Sequence, residues 1–339
     1  MNAFSRRPQP ATLAGGGLEA DAPLAAATPW PALGGVGGWL RTAVLLLVTA
    51  AVLASLVSWA GTTDVVGLLR GVSGQDLVVA TLLTLILPLS HACRLQVALA
   101  ATDQRLGFNR ALQLTLAVWP ISSLTPAKAG DLIKAYHLRE EIPATLTAGA
   151  LLTERAVDLA VWGALSLVAS LLFGQAVITA FSAAVLGGIL LFLFVLAPRA
   201  ERLPLSARWR DRLGLLLRST RGLTRRRLLL ALVGLTLVNC AVTVLVTAAL
   251  FEAVGVAVPL AFVTAAILPA MFAGLLPFTL AGMGTRDSVM ILLFGGYASG
   301  AQSLSVGLLY AFFFRWFLSL LGLPFLQQLV RASATSDGQ

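Results

Sequence analysis

Six stretches of about 20 apolar residues, near 40–60, 77–99, 144–173, 176–197, 228–251 and 304–326, decide the fold class of this 339-residue chain. A helix rises 1.5 Å per residue, so a run of that length covers the roughly 30 Å of a bilayer's hydrocarbon. In hydrocarbon every backbone N–H and C=O must find its partner within the protein, and for isolated runs of this kind the helix is the form that does so. Composition agrees, with 58% of residues apolar and 12% charged, well outside the usage of soluble domains. The reading is an all-α polytopic membrane protein with about six full spans.

Two further apolar stretches, 108–137 and 260–297, are broken by Pro, Gly and charged residues into arms too short to cross alone. They read as re-entrant helical hairpins, whose non-helical centres are tolerated only where protein or water surrounds them. Residues 1–38 are rich in Pro, Ala and Gly and carry Arg6 and Arg7 with no apolar run behind them. They read as a flexible cytoplasmic tail and not as a secretory leader; residues 327–339 read as a second cytoplasmic tail.

Orientation follows from the loop 199–227, which holds ten arginines against Glu201 and Asp211. Basic loops of this length stay on the cytoplasmic side. Counting spans from it puts both termini inside, together with Arg41, Arg94, Arg105, Arg110 and Arg331. The near-neutral loop containing Asp64, Arg70 and Asp76 falls outside, as does Glu252. The formal charge of +9 therefore reads as an orientation signal, and nucleic acid is not expected as a partner. Cys93 and Cys240 lie in or beside apolar runs and read as packed thiols. The expected location is a bacterial inner membrane.

The order span, span, broken hairpin, span fills residues 40–173 and recurs over 176–326. Each half crosses an odd number of times, so two such repeats would be inverted relative to each other and their hairpins would enter from opposite faces. That is the layout of many secondary transporters.

The hairpin centres, TPAKAGDLIK (Thr125 to Lys134) and LAGMGTRDSV (Leu280 to Val289), both combine small residues, a cation and an aspartate. Lys128, Asp131 and Lys134 step by three, so a helix starting near Pro126 would carry them as one slanting stripe. Both of the chain's lysines fall in this window, against 22 arginines elsewhere. Gly282 and Gly284 permit close backbone approach ahead of a helix beginning near Thr285, with Arg286 and Asp287 in its first turn. A helix N-terminus flanked by a cation suits phosphate or another anion. The same residues also fit interfacial loops whose cations merely snorkel to headgroups.

A third constellation, Glu154, Arg155 and Asp158, lies inside an apolar span, where ionisable groups are costly and are usually paired or functional. Glu154 and Asp158 share a helix face by their spacing of four. A buried brace and a substrate contact both fit them. Arg94, Arg315 and His91 read as lone polar residues near span ends with snorkelling or hydrogen-bonded structural roles, and His137 as a solvated residue at the cytoplasmic face.

At these residues the sequence resembles the transmembrane region of lysylphosphatidylglycerol synthases and its stand-alone flippase-like relatives, over most of residues 40–326. The family's Pro-Gly-Arg-x-Gly-Glu-like motif appears as Pro126, Ala127, Lys128, Ala129, Gly130 and Asp131, with the basic Lys134 after it. Its Glu-Arg-x-x-Asp-like element is matched by Glu154, Arg155 and Asp158, and its Gly-x-Gly-x-Arg-Glu-like motif by Gly282, Gly284, Arg286 and Asp287. The departures are Ala127 for glycine, Lys128 for arginine, and aspartate for glutamate at 131 and 287.

The resemblance implies movement of an amphipathic lipid between leaflets, either an aminoacylated phospholipid or a lipid-linked glycan. In that reading Lys128, Lys134 and Arg286 bind headgroup phosphate in turn, while Asp131, Asp287, Glu154 and Asp158 hold those cations or bind a headgroup amine. The chain ends about a dozen residues after the last span, so the synthases' aminoacyl-transferase domain, and with it lipid synthesis, is not expected. The P-loop pattern G-x-x-x-x-G-K-[ST] does not occur, which leaves a gradient, proton coupling or mass action as driving force; no cofactor or metal is expected. Two alternatives stand beside transport. One is a membrane-embedded lipid-modifying transferase using Asp131, Glu154 or Asp158 as base or metal ligand. The other is an assembly subunit of an envelope-biogenesis complex. Expected partners are membrane lipids and envelope or glycolipid biosynthesis enzymes. Small residues such as Gly187 and Gly188 permit close helix packing within or between subunits, so a homo-oligomer is possible.

Overall fold

A computed structural model describes residues 36–125, 130–139, 141–196, 199, 225–276, 278–279 and 282–336. Among the described residues the chain is helical and contains no strand. The expected tail before residue 36, Lys128, and the body of the basic loop at 200–224 lie outside the described residues.

The first span, α1 (Val36–Ala60), stops at Gly61, whose φ of 92° only glycine adopts freely. There the chain bends by 91° into α2 (Thr62–Gly71). The expected outer loop is thus a helix, with Asp64 in its first turn and Arg70 in its last, each complementing the helix dipole. Asp76 opens the next span: Ser73 caps it, its Oγ accepting from the Asp76 N–H at 3.2 Å. That span consists of α3 (Gly74–Thr84) and α4 (Ile86–Ala100), separated only at Leu85.

The first broken segment is α5 (Phe108–Leu124) followed by the short α6 (Ile133–Leu138). Next come α7 (Ala144–Leu172) and α8 (Ala176–Leu191), the latter ending in a π-helical turn at Phe192–Leu196. Then follow α9 (Arg226–Ala253) and the second broken segment, α10 (Leu260–Leu275) with α11 (Thr285–Phe294). The last span is α12 (Gly300–Ala311), a π-helical turn at Phe312–Phe317, and α13 (Leu318–Ser336). Helix therefore continues well past residue 326, into the segment expected to be a tail.

Among the described residues five helices are long and apolar enough to cross a membrane, and the bent pair α1 and α2 raises this to six. The protein is a multi-pass membrane protein. Taking residues 36–172 and 176–336 as the two halves, the packing between them is reciprocal, although α2 has no counterpart among the described elements of the second. α5 packs on α13, the closing span of the other half, while α10 packs on α7; α4 and α9, the second spans of each half, pack on each other. In the same way α1 meets α12 and α8 meets α7.

Both first arms carry an internal proline, Pro120 in α5 and Pro269 in α10. Proline has no N–H for the carbonyl four residues back. The carbonyl left over by Pro120 is that of Leu116, and Gly322 of α13 lies against it so closely that a Cβ there would collide with the Leu116 oxygen and meet Pro120 Cδ at 2.9 Å. Apolar packing is concentrated where α7, α9, α10 and α11 meet, around Phe251, Phe262, Ile267 and Phe294. A second cluster joins α4, α5 and α7 through Leu95, Leu99, Leu114 and Ala150. Val177, Leu190 and Phe194 of α8 point outward, the arrangement required of a helix whose solvent is lipid.

Candidate functional site

Charged side chains from α4, α7 and the first broken segment form one connected chain of alternating sign. Arg94 of α4, only 1% exposed, pairs with Asp158 and lies 3.3 Å from Glu154 Oε1. Its Nη2 also donates to the Glu154 carbonyl at 3.4 Å. His91, one turn earlier on α4, places Nδ1 3.6 Å from the same Glu154 oxygen, and its ring meets Trp119 edge-on at 5.4 Å. Asp158 is shared: Oδ1 accepts from Thr236 Oγ1 of α9 at 3.5 Å, and Oδ2 lies 3.5 Å from Arg155 Nη1.

Arg155 in turn pairs with Asp131, which carries the chain into the first broken segment. Asp131 also accepts from Ser122 Oγ at 2.6 Å and lies 3.9 Å from Lys134 Nζ. Ser122 lies in the last turn of α5 and Asp131 precedes α6, so this carboxylate ties the two arms across the break. Gly130 allows it, since a Cβ there would stand 2.7 Å from the Ser122 nitrogen, and its own N–H is received by Thr125 Oγ1 at 2.8 Å. The described part of this helix starts at Ile133, after a single tight turn at Gly130–Leu132. Lys134 is buried.

The second broken segment makes a separate, tighter arrangement. Gly282, at φ 72°, sits where any Cβ would collide with the main chain of Gly274, so the turn folds flat against the end of α10. Gly284 closes the turn against Val52 of α1. α11 then begins at Thr285, as its sequence predicts. Asp287, fully buried, accepts from the Gly284 N–H at 2.9 Å, a first-turn acid answering free helix donors. The same carboxylate takes two bonds from Arg286, at 2.6 Å from Nη2 and 3.0 Å from Nε. Arg286 Nη2 also donates to the Gly307 carbonyl at 2.7 Å, and its guanidinium lies over the Tyr310 ring at 4.5 Å.

A family model described as the lysylphosphatidylglycerol synthase TM region matches residues 41–322. The chain belongs to that family. No curated protein matches it. Membership in the lysylphosphatidylglycerol synthase TM-region family points to a membrane lipid-related function, and all three motif segments lie within the matched residues.

In this family member the first two motifs come together. Asp131 and Lys134 join Glu154, Arg155 and Asp158 in one network, while Arg286 and Asp287 pair with each other. Lys128 lies outside the described residues. Of the two structural roles open to Arg94 by its sequence position, snorkelling and hydrogen bonding, the structure shows the second, at the hub of the first network. Two residues sit otherwise than their sequence positions suggest. His137 is half-buried in α6, not solvated; burial and the nearby Arg110 and Arg139 hold its pKa down to about 4. Arg315 is not near a span end: it lies on the π turn midway along the helical stretch Gly300–Arg331. Ser122, Thr236 and Tyr310 carry no charge, and the partners of Thr236 and Tyr310 are remote in sequence, so no charge pattern announced them. Cys93 and Cys240 are free thiols, and Gly187 and Gly188 face open space. Among the described residues no group of three or more His, Cys, Asp and Glu is placed to hold a metal ion.

Proposed function

We propose that the protein is a lipid flippase, moving an amphipathic phospholipid or lipid-linked glycan between leaflets, with the headgroup handed along cations of the two broken segments. The observation that carries this reading is the buried network running from His91 and Arg94 through Glu154, Asp158 and Arg155 to Asp131 and Lys134. Ionisable groups inside a membrane are expensive, and a polar path through hydrocarbon is what a headgroup needs while its acyl tails stay in lipid. Lys134 is the natural first contact for headgroup phosphate in the described part of the path. It is buried and its pair with Asp131, at 3.9 Å, is long enough to be exchanged. Lys128 adds a second cation from the same motif, and Arg286 takes the phosphate next. Asp131, Glu154, Asp158 and Asp287 hold these cations between headgroups or receive a headgroup amine, and Gly282 and Gly284 shape the turn that brings Arg286 to the path.

Reciprocal packing of α5 on α13 and of α10 on α7 supports two inverted repeats, with the broken segments entering from opposite faces, and the arginines of the loop 199–227 support cytoplasmic termini. Alternating exposure of one fixed site follows from rocking one such half against the other.

The deciding measurement compares a deletion strain with its complemented parent, quantifying each polar lipid in total extract and, by an impermeant amine or sugar label, in the outer leaflet. A lipid that keeps its total but loses outer exposure establishes transport and names the substrate. Disappearance from the total extract would instead make the protein a lipid-modifying enzyme, and no change in either would make it an assembly subunit.

A further inference from the structure

We infer that Arg315 is an oxyanion site, holding the phosphate of an anionic lipid headgroup between the two broken segments. This rests on the flippase reading and adds to it a residue outside all three motifs. Arg315 stands on the π-helical turn Phe312–Phe317 and is half-buried. Among the described residues it makes no ion pair and no hydrogen bond through its side chain. The charges near it come from both arrangements: Arg286 and Arg155 repel it, while Asp131 attracts it. Asp131 is not vacant. Asp131 is engaged by Arg155, Ser122 and Lys134, and the Tyr310 ring lies between the Arg286 guanidinium and Phe314, stacked at 4.1 Å.

Among the described residues the remaining charges balance without it. Arg94, Arg155 and Lys134 face Asp131, Glu154 and Asp158, and Arg286 faces Asp287. Arg315 is a surplus positive charge among these described residues. Nor does it reach water at a membrane surface by extending its side chain. Eleven residues separate it from each end of the apolar span 304–326, which is roughly 16 Å at 1.5 Å per residue, about twice the reach of an arginine. A lone cation at such depth calls for an anion from outside the chain. The guanidinium fork matches two phosphate oxygens side by side. The wide turn adds to the case, since π-helical insertions are frequent at functional sites. It also leaves the Phe314 carbonyl to accept from Trp119 Nε1 of α5 at 3.2 Å, fixing the turn beside the first broken segment.

The test uses the full-length protein in alkyl maltoside micelles, which carry no phosphate. Phosphatidylglycerol labelled on its acyl chain is titrated alongside equally labelled diacylglycerol, with inorganic phosphate as competitor. Wild type is expected to bind the phosphatidylglycerol about tenfold or more tightly than the diacylglycerol, Arg315→Gln to lose that preference, and Arg315→Lys to keep part of it. Wild-type affinity in both variants overturns the site. If Arg315→Gln fails to fold, Arg315→Lys decides alone: weaker phosphatidylglycerol binding supports the site and unchanged binding overturns it. Displacement of the labelled lipid by low-millimolar inorganic phosphate would overturn the lipid as ligand and make soluble phosphate the occupant. Transport of the same lipid in liposomes separates this inference from the reading beneath it. Binding that depends on Arg315 in a wild type that moves no lipid removes the flippase and keeps the site; normal binding and transport in Arg315→Gln does the reverse.

Discussion

Asp131 and Arg155 pair across the boundary between the first broken segment and the span that follows it, and through this contact the break is wired to Arg94 on α4. The position of α6 is therefore set by charge as well as by apolar packing. Removing one member of a shielded pair leaves the other uncompensated, which costs more than the pair itself contributes. Asp131→Asn is expected to lower stability by about 1–3 kcal/mol and to reduce lipid transport. The exchange Asp131→Arg with Arg155→Asp should recover part of both. Thermal unfolding in detergent and a liposome transport assay check this; equal damage in the single and exchanged variants would refute a pairwise role.

Arg286 and Asp287 call for a double-mutant cycle. Arg286→Gln strands a fully buried carboxylate and should cost about 3–5 kcal/mol. The double variant Arg286→Gln with Asp287→Asn should recover much of the stability and none of the transport. Recovery of transport in the double variant would show Arg286 to be a brace only.

Gly307 is expected to be intolerant of even a methyl group. A Cβ there would meet Asp287 Oδ1 at 2.6 Å, and the Gly307 carbonyl already receives Arg286. Gly307→Ala should destabilise by about 1–3 kcal/mol through overpacking. Gly234→Ala, in α9 where a Cβ meets nothing within 4 Å, should be neutral or stabilising by up to about 1 kcal/mol. Melting temperatures of the two variants side by side measure the difference.

The six spans and both breaks were legible because each rests on a local property, apolar length or a Pro and Gly interruption. The start of α11 at Thr285 was legible for the same reason, since Gly284 and Asp287 mark a helix start within four residues. Partnerships were not. Arg94 and Glu154 are sixty positions apart, and nothing in either neighbourhood says that they meet. Hydropathy located the last span without revealing the π turn at Phe312–Phe317, because the apolar pattern runs through it unchanged. The helix α2 was hidden by its own charges, Asp64 and Arg70, which read as a loop until seen as ends of one amphipathic element.

His137 gives the fold a pH dependence outside the spanning helices. Its folded pKa of about 4 lies below the ordinary 6.5, because burial and then Arg110 and Arg139 disfavour the proton. The unfolded chain therefore binds the proton more readily. Its contribution to stability is complete above about 6.5 and is lost as pH falls from there toward 4. His137→Gln should flatten that part of the stability profile, measured by thermal unfolding across the same interval; an unchanged slope would count against the assignment.

The contact between Gly322 and the Leu116 carbonyl has a mechanical consequence. It joins main chain to main chain, at a point where Pro120 has already removed the helix's own claim on that oxygen. One residue of sliding in either direction would bring a side chain of α13 into the place where only a bare Cα fits. The first arm of the broken segment can tilt about this point but cannot travel along it, so the joint between the two halves works as a pivot and not as a rail.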